Sequence, residues 1–266
     1  MSSRRLDPRL RLFVLLAVTL VAASFGCSGP GLLGDGRPVL RVGVAPDYPP
    51  VVFEQDGEIM GIEADLARLV GDSLGRRIEF ARFPFSELIP ALERGDVDVV
   101  MSGLSITPER AERVAFTEPY MEVGQLTLIR ARDLGRFSRI QGLQRIGARV
   151  GYERGTTGER YVATELTRSE SFGFDSVEEG LRSLRADRID YFIHDAPTVW
   201  RIAGDPRQRD LYGLYRPLTE EQLAWAVRKQ DDALRSLLDA TLAHHRREGM
   251  IDPIVQRWIP VRVTLR

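Results

Sequence analysis

Between residues 39 and 193 the chain alternates short apolar runs with longer stretches whose apolar side chains recur at helical spacing. The apolar runs at 39–44, 78–82 and 97–101 have the length of strands. Between them, residues 62–72 place Ile62, Leu66, Leu69 and Val70 on one helical face, and residues 86–93 do the same with Leu88, Ile89 and Leu92. Strand, helix, strand, helix, strand is the order of a parallel sheet covered by helices. The same order recurs at 146–151, 157–166, 171–174, 177–186 and 189–193, with Val177, Leu181 and Leu184 in register on the second of its helices. Even the local wording repeats: Ala91-Leu-Glu-Arg-Gly-Asp-Val-Asp98 precedes the third strand of one half, and Ser183-Leu-Arg-Ala-Asp-Arg-Ile-Asp190 that of the other. The pattern predicts two similar α/β lobes, each turning the carboxyl ends of its strands, where open α/β sheets bind ligands, toward the other. Two further strand-like runs, 125–130 and 222–227, flank the second half, and a pair of chain crossings there would serve as a hinge. Periodic helices at 231–247, through Leu234, Leu237, Leu238 and Leu242, and at 251–258 are expected to pack on the first lobe. Lobe 1 is then discontinuous, 38–129 plus 222–266, and lobe 2, 130–221, is an insertion.

The first residues change the picture of where the protein works. Arg4, Arg5, Arg9 and Arg11 form a basic segment, and 12–23 is an apolar run broken only by Thr19, too short to be a comfortable membrane span. Residues 1–26 read as a secretory signal peptide, and 27–38 as a flexible tether rich in Gly, Ser and Pro. Cys27 is the only cysteine in the chain, so no intramolecular disulfide can form. At 266 residues, 43% hydrophobic and 28% charged, the composition is that of a soluble globular protein of one large or two modest domains. Removing 1–26 takes away four Arg and one Asp and moves the formal net charge from −1 to −4. A mildly acidic mature chain without a basic, aromatic-studded stripe argues against nucleic-acid binding.

Candidate chemistry gathers at the predicted strand ends. Ser102-Gly-Leu-Ser-Ile-Thr-Pro-Glu-Arg110 runs from a strand into a helix start with Thr107 as cap and Pro108 at the first helical position. Gly103 and Ser105 offer backbone groups and a hydroxyl there. Arg110 is either a charge on a solvated helix face or a five-donor fork reaching over the crevice, where its planar geometry suits a carboxylate. In Gly151-Tyr-Glu-Arg-Gly-Thr-Thr-Gly158, Thr156 and Glu159 fit a capping box. That loop is either a well-capped helix start or a second anion site for the same carboxylate. Asp195 can cap the helix that Pro197 begins, or place a carboxylate in the crevice for an ammonium, or both. The histidines make no metal site: His244 and His245 are adjacent on a helix and point apart, and His194 lies far from both. No serine sits in a nucleophile elbow, so a hydrolase triad is unsupported.

Taken together, Tyr48-Pro-Pro50, Gly61-Ile-Glu-Ala-Asp-Leu66, Phe85-Ser-Glu-Leu-Ile-Pro-Ala-Leu92, Ser105-Ile-Thr-Pro-Glu-Arg110, Phe116-Thr-Glu-Pro-Tyr120, Gly155-Thr-Thr-Gly158 and Asp195 resemble the bacterial extracellular solute-binding proteins of family 3, the polar amino-acid receptors of ABC importers. The resemblance implies a two-lobed Venus-flytrap fold with two hinge-crossing segments, no cofactor, no metal, a monomer, and two partners, a free amino acid and an ABC permease. It puts the carboxylate-binding arginine on Arg110, the lobe-two carboxylate loop on Thr156 and Thr157, and the ammonium-binding acid on Asp195. Gly103 and Ser105 match the lobe-one partners of the ammonium, and Tyr48 and Phe85 the aromatic walls. Where the family often keeps an Asp near the end of the first strand this chain has Ala45, and Val51 stands where an aromatic is frequent. Phe25-Gly26-Cys27 is similar to a lipoprotein lipobox, with Ser24 in place of the preferred Leu, and implies lipidation of Cys27 and a membrane anchor.

Glu153 falls where family members face the ligand side chain, with Arg154 expected on the opposite side. With one cleft acid beyond Asp195, a polar or cationic ligand, glutamine, arginine or lysine, is expected ahead of glutamate and aspartate; if Glu153 instead points to solvent, the aromatic walls select an apolar ligand. An enzyme resembling prephenate or arogenate dehydratases, with Glu153 as general acid, is the competing reading. A sensor or cell-wall enzyme module is a third, against which stands the lack of any kinase, transmembrane or lytic segment after the second lobe.

Overall fold

The computed structural model describes residues 36–137 and 140–259. The signal peptide, Cys27 and the last residues of the first lobe's expected range lie outside them. Two five-stranded sheets carry the architecture. The first orders Arg77–Arg82, Val39–Val44, Val99–Val100, Ala226–Arg228 and Val114–Phe116. The second orders Glu170–Phe174, Arg149–Glu153, Tyr191–Asp195, Gln125–Arg130 and Leu211–Leu214. In each, the first three strands run parallel and the fourth runs antiparallel to both neighbours. The two halves of the pattern therefore build the same sheet twice.

Helices close the faces of these sheets. Ile62–Ser73 buries Ile62, Leu66 and Val70 against Leu40, Val42 and Trp225 of the first core. Its entry requires Gly61, which sits at φ +113° with the backbone oxygen of Val51 only 2.5 Å from where a Cβ would be. Val177–Arg185 starts on Ser176, whose hydroxyl accepts the Glu179 N–H, and buries Leu181 and Leu184 against Phe192. Asp232–Arg247 packs Leu234, Leu238 and Leu242 into the first core, as its periodicity predicts.

The strand expected at 97–101 is paired only over Val99–Val100, the one expected at 189–193 lies two residues later as Tyr191–Asp195, and three further boundaries depart from the sequence reading. The run 222–227 is two strands: Glu221–Leu223 pairs with Met121–Val123 in a separate two-stranded sheet, and Ala226–Arg228 joins the first sheet. Leu223, Ala224, Trp225, Ala226 and Val227 are all buried, so no change of periodicity marks the break, where Ala224 and Trp225 donate their N–H groups to Leu104 and to the Thr117 hydroxyl. Gln125–Arg130 is an interior strand of the second sheet, buried at every position, so the chain crosses between sheets one step earlier, at Met121–Val123 and Gly124. The strand expected at 146–151 begins only at Arg149, because Gly147 at φ +70° and the Ala148 N–H bond to Arg145 keep a turn there and leave Ile146 72% exposed.

Candidate functional site

All nine residues singled out for ligand binding line one cavity between the carboxyl ends of the two sheets, about 450 Å³ with its open mouth included. Tyr48, Phe85, Gly103, Ser105 and Arg110 approach from the first sheet, and Glu153, Thr156, Thr157 and Asp195 from the second. Asp47 and His194 line it too.

Arg110 occupies the third position of the short helix Pro108–Ala111, whose start is held by the Thr107 hydroxyl accepting the Arg110 N–H at 3.2 Å. Its side chain turns back from the helix. Nη1 donates to the Ser105 carbonyl at 2.9 Å and Nη2 to the Gly155 carbonyl on the opposite side at 3.2 Å, while the guanidinium lies 5.4 Å from the Phe85 ring centre. Burial works against its charge, and Asp195 and Glu221 favour it. A cation so placed, buried against an aromatic face, is not a solvated surface charge, and its planar fork has the geometry that suits a carboxylate.

Asp195 closes the strand Tyr191–Asp195 and stands before the helix Ala196–Gly204, yet its side chain makes no capping bond. Instead its carboxylate accepts the Tyr48 hydroxyl at 2.5 Å and the Gln125 side-chain amide. Burial pushes this carboxyl above its ordinary range, Glu221 adds to the push, and His194, Tyr48 and Gln125 oppose it. A buried acid in that condition gains from an ammonium beside it.

Gly103 adopts φ +65°, and a Cβ there would stand 2.4 Å from a Tyr48 ring carbon. Its N–H donates to Glu63 Oε2 at 2.7 Å. The Thr156 hydroxyl accepts the Glu159 N–H as a cap, but the Glu159 carboxylate reaches back to the Gly155 N–H rather than to that of Thr156. The expected capping box is thus shifted by one residue, which leaves the Thr156 N–H outside it.

Glu153 faces the cavity and Arg154 turns away to Asp175. Glu153 does not stand alone, however: its carboxylate lies 2.7 Å from His194 Nε2. His194 Nδ1 accepts the Asp195 N–H at 2.8 Å, so Nε2 is the nitrogen that carries the proton toward Glu153. The expectation of a single cleft acid beyond Asp195 is corrected by Asp47, whose carboxyl is raised by burial and by the nearby Glu153 charge. Asp47 adjoins Tyr48 on the short strand Asp47–Tyr48, a strand the sequence reading did not resolve. Gln125 and Glu221, also missed, stand behind the cavity wall and bond to its lining. Among the described residues no group of three side chains is placed to hold a metal ion.

Paired sheets that present a basic fork and a buried acid to one shared cavity define a two-lobed small-molecule receptor. Residues 40–261 match the bacterial extracellular solute-binding proteins, family 3, and the chain belongs to that family. It is 30% identical over 257 residues to the ABC transporter arginine-binding protein 1 of Escherichia coli (strain K12), covering 93% of this chain and 98% of that one. Among solved structures, it is similar to a putative binding component of an ABC transporter from Wolinella succinogenes complexed with lysine, with TM-score 0.80 and 28% identity over 85% of this chain and 97% of that one. It is also similar to the ancestral amino acid-binding protein AncCDT-1, a precursor of cyclohexadienyl dehydratase, with TM-score 0.77 and 30% identity over 83% and 95% of the two chains. The protein is a substrate-binding protein, not an enzyme.

Proposed function

We propose that this protein captures a cationic amino acid outside the cytoplasm and delivers it to an ABC importer. The observation that carries the choice of ligand is the charge of the cavity: Asp47, Glu153 and Asp195 line it against one guanidinium, Arg110. An α-amino acid offers a carboxylate to Arg110 and the Thr156–Thr157 turn, and an ammonium to Asp195 and Ser105. That leaves Asp47 and Glu153 for the far end of the side chain, and a guanidinium or ammonium there offsets part of the cavity's excess negative charge in a partly buried site. Similarity to an arginine-binding protein and to a lysine-bound structure supports the same choice. The dehydratase alternative is weakened by the bond between Glu153 and His194, which occupies the carboxyl that would have to deliver a proton.

A thermal-shift screen over the twenty amino acids tests the reading, since a ligand at a thousand times its dissociation constant stabilises by about 4 kcal/mol. Arginine or lysine should give the largest shift, glutamine a smaller one, glutamate and aspartate none. A largest shift with glutamate or aspartate would refute it. The same reading includes a lipid anchor at Cys27, supported by its place after the apolar segment; Cys27→Ser should release the protein from the detergent phase, and a wild type already soluble would remove the anchor.

A further inference from the structure

Glu221 is absent from the cavity lining, yet its carboxylate collects four donors from both sides of the site. Oε2 accepts the hydroxyls of Ser105 and of Thr157, each at 2.7 Å, and Oε1 accepts the Thr219 hydroxyl at 2.7 Å and the Gln125 amide at 3.2 Å. Ser105 follows the first sheet, Thr157 opens a helix of the second, and Glu221 begins a strand of the small sheet between them. A hydroxyl has one proton to give. Ser105 gives its proton to Glu221 and turns only lone pairs to the cavity. Thr157 gives its proton to Glu221 and accepts the Gln125 amide at 2.9 Å, so its hydroxyl has nothing to donate to a ligand.

We propose that Glu221 sets the hydrogen-bond polarity of the site: by taking both hydroxyl protons it makes Ser105 an acceptor for the ligand's α-ammonium and leaves the ligand's carboxylate to Arg110 and the backbone N–H groups of the Thr156–Thr157 turn. Glu221 acts through Ser105 and is a positioning residue. The Gln125 NH₂ has two protons and three acceptors around it, Asp195, Thr157 and, at the longest distance, Glu221, so two acids share it behind the ammonium position. A ligand lacking its α-amino group gains nothing from this arrangement. The inference rests on the amino-acid reading of the site and names the element that enforces it.

The test is Glu221→Met, which keeps a similar volume but removes both acceptor oxygens, so that the Ser105 hydroxyl must redirect its proton. Titration calorimetry is run on wild type and variant with L-arginine and with 5-guanidinopentanoate, which is arginine without the α-amino group; L-glutamine and 5-amino-5-oxopentanoate form the second pair. The variant should bind the amino acid at least about tenfold more weakly and the desamino analogue within about threefold of wild type, the scale of one lost bond to a charged group. Ser105→Ala should show the same selective loss, and combining the two changes should add little to either. Equal loss for both ligands, or no loss for either, would overturn the proposal by showing a merely structural acid or an idle one. Additive losses in the double variant would overturn it by showing that Glu221 does not act through Ser105. A wild type that binds neither amino acid would instead fail the amino-acid reading on which the proposal stands.

Discussion

Glu63 offers a stability experiment with a defined sign. It stands in the first turn of Ile62–Ser73, is fully buried, and uses one carboxyl oxygen to accept the Gly103 N–H at 2.7 Å, with the buried Tyr120 ring nearby. Burial pushes its pKa from 4.5 to about 8, against smaller opposing contributions from Tyr120 and Gly103. The folded state therefore holds this proton more tightly than the unfolded chain does. The stabilisation is fully present below the unfolded value near 4.5 and is lost progressively as the pH rises to about 8, beyond which both states are ionised. At roughly 1.36 kcal/mol per pH unit, the gap amounts to an upper bound of about 5 kcal/mol. Glu63→Gln keeps an oxygen for Gly103 and carries no charge, so it should match wild type near pH 4.5 and become progressively more stable than wild type toward pH 8. Urea denaturation of both proteins from pH 4 to 9 measures the difference directly. Parallel stability curves would show that Glu63 titrates no differently in the two states, and a variant less stable at high pH would show that the buried carboxylate is favourable after all.

Arg110→Ala should weaken amino-acid binding at least about a hundredfold, two charge-assisted bonds at roughly 1.5–3 kcal/mol each, with little change in urea midpoint; calorimetry near wild-type affinity would remove it from the site. Gly103→Ala places a Cβ 2.4 Å from the Tyr48 ring at φ +65°, so it should cost about 1–2 kcal/mol of stability and also loosen the Tyr48 bond to Asp195, seen as weaker arginine binding; unchanged affinity would show that Tyr48 is free to move. Glu153→Gln should weaken a cationic ligand by about 1–3 kcal/mol and a neutral one by less, and an equal effect on arginine and glutamine would place Glu153 outside the side-chain subsite.

Legibility in the sequence followed the strength of local signals. Thr107-Pro108 and Thr156 announce helix starts, and these put Arg110, Thr156 and Thr157 at strand-to-helix junctions from local sequence alone. Asp56-Gly57 carried an equally local signal: both residues have positive φ and join Val52–Gln55 to Glu58–Met60 as a two-residue hairpin, the pairing that an Asp-Gly step favours. It went unread because the flanking strands, three or four residues long, give little alternation. Gln125, Glu221 and His194 were hidden for a different reason. Gln125 and His194 lie in or beside runs of buried apolar residues and Glu221 lies in a polar stretch, and the purpose of each depends on partners distant in sequence, Asp195, Glu153 and Ser105. Glu63 resembled an ordinary acid of a first helical turn, and only its bond to Gly103 shows that it faces inward.

The placement of Ala226–Arg228 has a consequence for how the chain can be made. Every strand of the second sheet comes from one uninterrupted stretch between Gln125 and Leu214, so that sheet can assemble as soon as this stretch is available. The first sheet cannot. Val114–Phe116 has no neighbour in it other than Ala226–Arg228, and Val99–Val100 waits for the same strand on one side. During synthesis two strand edges therefore stand unpaired until Ala226–Arg228 has emerged, and unpaired edges are templates for aggregation. A second sheet already formed would shorten the effective loop between them, and so would serve as a splint on which the first sheet closes.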